Sequence, residues 1–172
     1  MARISLADVE APAIKPLATR IAAERGTVLD LYKVLLHSPP VAEGWLRYLT
    51  AIRQECSLPG SLRELVIMRI AGLNGASYEA EQHVPYALRE GLHRDQLDEL
   101  NRWQSSILFD ATQRAVLAYT DAMTRDIRVP DEIYTMIRQL FSERQIVELT
   151  ATIGAYNMVS RFLEALAIHA DH

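Results

Sequence analysis

The sequence predicts an all-α fold, a single-domain bundle of about eight helices. Three observations predict it. Apolar residues recur at three- and four-residue spacing in segment after segment. Prolines, glycines and capping residues punctuate these segments and leave only short connections. No stretch alternates apolar and polar residues between turn signals, as a half-buried strand does.

Composition sets the outer bounds. The 172 residues suit one domain spanning the whole chain, and 49% of them are apolar, enough for a core without disulfide or metal staples. No apolar run reaches the length needed to span a bilayer. The net charge of −4 and the lack of a Lys/Arg stripe argue against nucleic acid as a partner. The opening residues lack the pattern of a signal peptide, so a cytoplasmic location is the expectation. One cysteine, Cys56, excludes an intramolecular disulfide and a CxxC redox pair.

The elements follow in order. Residues 1–16 read as an arm, with Pro12 and Pro16 bracketing the start of a helix that Gly26 ends. Thr27–His37 has helical periodicity and stops at Ser38-Pro39-Pro40, because a residue before proline avoids the helical region. Val41–Cys56 is the next helix, with Trp45, Leu49 and Ile52 on one face. After a turn at 57–60, residues 61–91 form a helix pair joined at Asn74-Gly75, with Ser61 and Ser77 as expected N-caps. A short acidic helix covers His93–Trp103, and Asp110 caps the one that follows, to Asp126. Val129-Pro130-Asp131 breaks the chain and restarts it as Asp131–Phe141. Ser142 opens a last helix running to Ala170. Ser61 and Ser142 both begin a Ser-x-x-Glu/Gln capping box, through duplication or through convergence on a common helix start.

The helix pair at 61–91 concentrates the chemistry. Glu64 is either the third residue of the Ser61 capping box or a general acid/base, and the two roles are compatible. Glu79 and His83 lie four apart, on one helix face. They form either a solvated ion pair or a carboxylate that fixes the imidazole tautomer. Pro85 is expected to bend or loosen the helix beside His83, and Glu81 to face solvent. Together Glu64, Glu79 and His83 are the candidate catalytic residues. A metal centre is not expected, since neither paired histidines nor several cysteines accompany them. A Ser–His–acid hydrolase lacks its Gly-x-Ser-x-Gly elbow. Cys56 has no cationic setting in the sequence and is assigned to packing. On the last helix, Asn157 and Arg161 share a face, and Arg161 either clamps a substrate carboxylate or bridges to Glu64 or Glu79.

Glu64-Leu65-Val66, Leu73-Asn74-Gly75, Ser77-Tyr78-Glu79, His83-Val84-Pro85 and Ala87, closed by Tyr156-Asn157-Met158-Val159 and Arg161, resemble the carboxymuconolactone decarboxylase family, which also contains the alkylhydroperoxidase D-like proteins. The resemblance implies an all-α, alkylhydroperoxidase D-like fold and a homo-oligomer (dimer, trimer or hexamer). In the peroxidase branch a Glu, a CxxC pair and a downstream His work together. Here the Glu falls at Glu64, the His at His83, and the two thiol positions at Ala76 and Glu79. Without a thiolate at either position, peroxide reduction by that route is not expected.

The decarboxylase branch implies loss of CO₂ from a small carboxylated metabolite without metal or organic cofactor. His83 would donate the proton, Glu64 and Glu79 would tune it, and Arg161, Tyr78 and Asn157 would contact substrate. Two glutamates fit an anionic substrate poorly and suit isomerisation or elimination on a neutral or cationic one better. The expected function is therefore a cofactor-independent lyase or isomerase. The alternatives are a divergent peroxidase (peroxiredoxin-type activity) using Cys56 and a non-catalytic oligomeric binding protein.

Overall fold

The computed structural model describes residues 2–169. Among them are nine α-helices: α1 (Lys15–Arg25), α2 (Asp30–Leu35), α3 (Pro39–Thr50), α4 (Gly60–Asn74), α5 (Ser77–Arg89), α6 (Arg94–Glu99), α7 (Ala111–Arg125), α8 (Asp131–Leu140) and α9 (Glu143–Ala165). A π-helical turn, Ala51–Glu55, extends α3, and a 3-10 turn, Leu100–Arg102, extends α6. No strand occurs among the described residues, as the periodicity predicts. Nor is any helix there long and apolar enough to cross a membrane.

The helices fall into two compact units. One contains the residues up to Glu55 and those from Leu163 onward. In it Gly26 ends α1 with φ +84° and returns its N–H to the Ala22 carbonyl, as expected. Arg25 ties the three helices together, donating to Thr50 Oγ1 (2.7 Å), Tyr32 OH (3.2 Å) and the Leu46 carbonyl (3.3 Å). Trp45, Leu49 and Ile52 are all buried. The N-terminal arm is held by its own chain. Arg3 donates its N–H to the Leu166 carbonyl (2.8 Å), Ala7 to that of Lys33 (3.2 Å), and His37 Nε2 meets the Ser5 carbonyl at 2.7 Å.

The second unit, Cys56–Phe162, carries the helix pair. Its centre is α4, which is buried on every face from Glu64 to Ala71, and α5 and α7 pack most extensively on it. A helix surrounded on all sides has no solvent face for a charge. Arg69 is nonetheless there, 2% exposed, and meets Asp121 of α7 through two hydrogen bonds of 2.6 and 2.7 Å. The rest of its guanidinium donates to the Leu100 carbonyl, and Trp103 Nε1 donates to the same Asp121. This bidentate pair locks α4, α7 and the 3-10 turn in one register.

Several sequence expectations are corrected. Ser61 is not an N-cap. The helix α4 begins at Gly60 after Pro59, whose φ of −52° and ψ of 136° set the entry, and Ser61 lies inside the first turn. The turn before it is held from α9, where Glu148 accepts from Ser57 N (2.8 Å), Ser57 Oγ (2.7 Å) and Leu58 N (3.0 Å). Ser77 likewise does not cap. It is the first residue of α5, after Ala76. The helix α5 continues through Pro85 to Arg89, and Glu81 is exposed, as expected. The last helix ends at Ala165, five residues short of expectation, and Ala170 lies outside the described residues. Asp110 and Ser142 both start their helices as expected. Asp110 forms a reciprocal capping box with Gln113, and Ser142 with Gln145.

Between α7 and α8, Ile127 takes φ +66° with 84% of its surface exposed. A β-branched residue in this region is strained and gains no packing here to offset it. Ile127→Gly should stabilise the protein by about 1 kcal/mol. Calorimetry should record that as a rise in Tm of about 2–4 °C, and a fall would contradict the assignment of strain.

Candidate functional site

Gly75 adopts φ +69° and ends α4, and the N–H groups of Gly75 and Ala76 both close on the Ala71 carbonyl. The chain then reverses into α5. This sharp return lays α5 along α4 and brings His83 to the level of Glu64. His83 Nδ1 lies 2.8 Å from Glu64 Oε2. Glu64 is 1% exposed and His83 8%. The Tyr156 ring meets the imidazole edge-on at 5.2 Å, and Tyr86 stands tilted at 5.8 Å.

The electrostatics of Glu64 fix the direction of this contact. Burial would raise its carboxyl, but the hydrogen bond and charge of His83, joined by those of Arg63, outweigh it and hold the group below its ordinary value. Glu64 is thus a carboxylate that accepts, and the His83 proton on Nδ1 donates. The other imidazole nitrogen, Nε2, is the one that Glu64 does not engage. Arg63 donates through Nε to the second Glu64 oxygen at 3.2 Å.

Glu79, on the same face of α5, is also buried, at 2%. Its Oε2 accepts a hydrogen bond from Ser160 Oγ of α9, and Ser160 is fully buried. The two positions assigned to thiols therefore carry a buried methyl group, Ala76, and a buried carboxylate, Glu79. Tyr78 is buried in the first turn of α5.

Neither Asn157 nor Arg161 bonds directly to Glu64 or His83 among the described residues. Asn157 uses its whole amide within the protein. Its Oδ1 accepts from Asn74 (3.1 Å) and from Arg161, and its Nδ2 serves Thr124 Oγ1 (2.9 Å) and the Ile153 carbonyl (3.0 Å). Arg161 is exposed and donates to Asn157, and no ion pair joins it to Glu64 or Glu79 among the described residues.

Two residues at this site were absent from the sequence reading. One is Arg63, because neighbours in a helix do not normally face each other. The other is Ser160, for which a signal did exist. Glu148, Thr152, Tyr156 and Ser160 follow at a spacing of four on α9, and all are buried. A buried polar line on a helix points at partners waiting in the core.

The depressed carboxyl of Glu64 has a consequence for stability. Its contribution is complete above the ordinary value of 4.5 and is lost as pH falls through the lower folded value. The stability advantage of the wild type over Glu64→Gln should therefore be constant near neutrality and shrink below about pH 4.5. Urea unfolding across that range measures it, and a difference independent of pH would contradict the ionised assignment.

Comparison with known proteins places this chain in a family. The model of the carboxymuconolactone decarboxylase family matches residues 39–122, from α3 into α7. The Escherichia coli (strain K12) protein YnjA is 31% identical over 130 residues, covering 74% of this chain and 68% of its own. The Bacillus subtilis (strain 168) protein YdfG is 26% identical over 119 residues, covering 68% and 81%. Both are described only as uncharacterized proteins. Among solved structures, an uncharacterized peroxidase-related protein from Ralstonia eutropha JMP134 with an alkylhydroperoxidase AhpD core superposes with a TM-score of 0.84 at 15% identity, covering 99% of this chain and 92% of its own. The fold is thus alkylhydroperoxidase D-like. The chain belongs to the carboxymuconolactone decarboxylase family, as a member without the CxxC pair.

Proposed function

We propose that the protein is a cofactor-independent lyase or isomerase that moves a proton through His83 on a small carboxylated metabolite. The observation that carries this reading is the buried Nδ1-to-Oε2 contact of 2.8 Å between His83 and Glu64. A carboxylate bound to one imidazole nitrogen fixes the tautomer and stabilises the imidazolium that forms when the other nitrogen takes a proton. Glu79, anchored by Ser160, supplies a second carboxylate near the same helix face.

In the lyase reading, the bond between the substrate carbon and its carboxyl group breaks. The electron pair moves into an adjacent carbonyl as an enolate, CO₂ leaves, and the His83 imidazolium, protonated beforehand from water, donates its proton to the carbon. In the isomerase reading the same imidazole removes a proton and restores it at a neighbouring carbon. Arg161 would hold a substrate carboxylate, with Asn157 orienting its guanidinium, and Tyr78 would line the site. Arg63 bears on the choice between the two. By pairing with Glu64 it offsets one of two negative charges and makes the site less hostile to an anion. Peroxide reduction is the weaker reading, because Ala76 and Glu79 stand where the two thiols belong.

The active form would be a homo-oligomer in the cytoplasm. Tyr134 of α8 (41% exposed) and Val147 of α9 (67%) flank an apolar groove suited to a second copy of the chain. Val147→Asp should lower the molecular mass in solution measured by light scattering. An unchanged mass would remove this face from the interface.

Turnover of small carboxylated lactones and diacids, screened by mass spectrometry, tests the chemistry. His83→Gln should reduce the rate by about 10²–10⁴-fold with the fold retained. A variant as active as the wild type would remove His83 from the mechanism.

A further inference from the structure

We propose that Arg63 is a positioning residue for the Glu64–His83 pair, held in place by Glu90 in a space that only glycine at position 60 leaves open. Each oxygen of Glu64 has its own partner. Oε2 takes the His83 proton at 2.8 Å, and Oε1 takes Arg63 Nε at 3.2 Å. The far side of the guanidinium is held in turn, with Nη2 lying 3.5 Å from Glu90 Oε1. The line Glu90–Arg63–Glu64–His83 runs inward as far as Glu64, from a side chain 33% exposed through 13% to 1%, and ends at His83, 10% exposed.

Gly60 explains why this line closes. It opens α4, and it has none of the positive φ for which a glycine is usually required there. A glycine inside a helix costs stability relative to alanine. Its use here is room. A Cβ at position 60 would lie 1.8 Å from Glu90 Oε2 and 2.5 Å from Glu90 Cδ. Glu90 occupies that space beside the first turn of α4, where a carboxylate is favoured by the exposed N–H groups.

The chemical consequence lies at His83. A buried carboxylate with one oxygen unpartnered would either take the imidazole proton outright or bind a proton from water. With Arg63 on Oε1, Glu64 stays an acceptor and the proton stays on Nδ1. His83 Nε2 is then the one imidazole nitrogen available to a reactant. This role rests on His83 being the proton carrier, but the contact itself can be tested apart from turnover.

The test is a titration of the Glu64 carboxyl carbon by NMR in the full chain labelled with ¹³C-glutamate, the resonance assigned with Glu64→Gln. The charged groups bearing on Glu64 are His83 of α5 and Arg63 of its own helix. Arg63→Met should raise the midpoint by about one pH unit. Arg63→Lys, which keeps the charge and loses the fork, should give an intermediate value and settles the question if the methionine variant fails to fold. Gly60→Ala, which displaces Glu90, should move the midpoint in the same direction by less, and adding Glu90→Gln to it should change nothing further. A midpoint unmoved by Arg63→Met, or by Arg63→Lys where only that variant folds, would overturn the positioning role. A midpoint unmoved or lowered by Gly60→Ala would overturn the part of Glu90 and Gly60. If the titration behaves as expected and His83→Gln retains full turnover, Arg63 still orders the pair and the catalytic reading fails alone.

Discussion

A carboxylate buried at 1% exposure in the central helix is the constraint around which the second unit is arranged. Taking such a group out of water costs several kcal/mol unless its oxygens find fixed partners. Glu64 finds one on its own helix and one across the helix pair. The partner across the pair is the imidazole, so the same contact that makes the burial tolerable also orients a group able to move protons. Structure and proposed chemistry share one hydrogen bond.

The same solution recurs at the other buried charges. Arg69 is matched by Asp121, Glu79 by Ser160, and Glu148 by Ser57, Leu58 and Arg144. Each of these three sets joins residues more than fifty positions apart. Each pairing can form only in one register, so a shift of a helix along its neighbour strands a charge in the core. The net stabilisation from any one pair is small after desolvation, but the discrimination against misregistered packings is large. This is how an all-α core with two carboxylates in its central helix pair stays unique.

The fold was legible because helical periodicity and local punctuation carry most of it. Gly26, Gly75, Asp110 and Ser142 act within a few residues of themselves, and each behaves as its local sequence indicates. Ser61 fails as a cap because the turn before it is fixed by Glu148, ninety-one positions from Ser57. No local rule sees that distance. In the candidate site, spacing placed Glu79 and His83 on one face, and the resemblance matched Glu64 and His83 to the family's Glu and His. The Arg63 contact was invisible because it runs between adjacent residues whose side chains ordinarily diverge. Ser160 was missed because a serine in a helix says little by itself. Only its place in a line with Glu148, Thr152 and Tyr156 gives it meaning.

The direction of the hydrogen bond between imidazole and carboxylate is the central claim, and it can be observed directly. ¹⁵N NMR of the His83 ring, assigned against His83→Gln, reports which nitrogen bears the proton in the neutral form. The account predicts Nδ1–H in the wild type, shifting to the Nε2–H form in Glu64→Ala, where the acceptor is gone. A wild-type imidazole with its proton on Nε2 would contradict it.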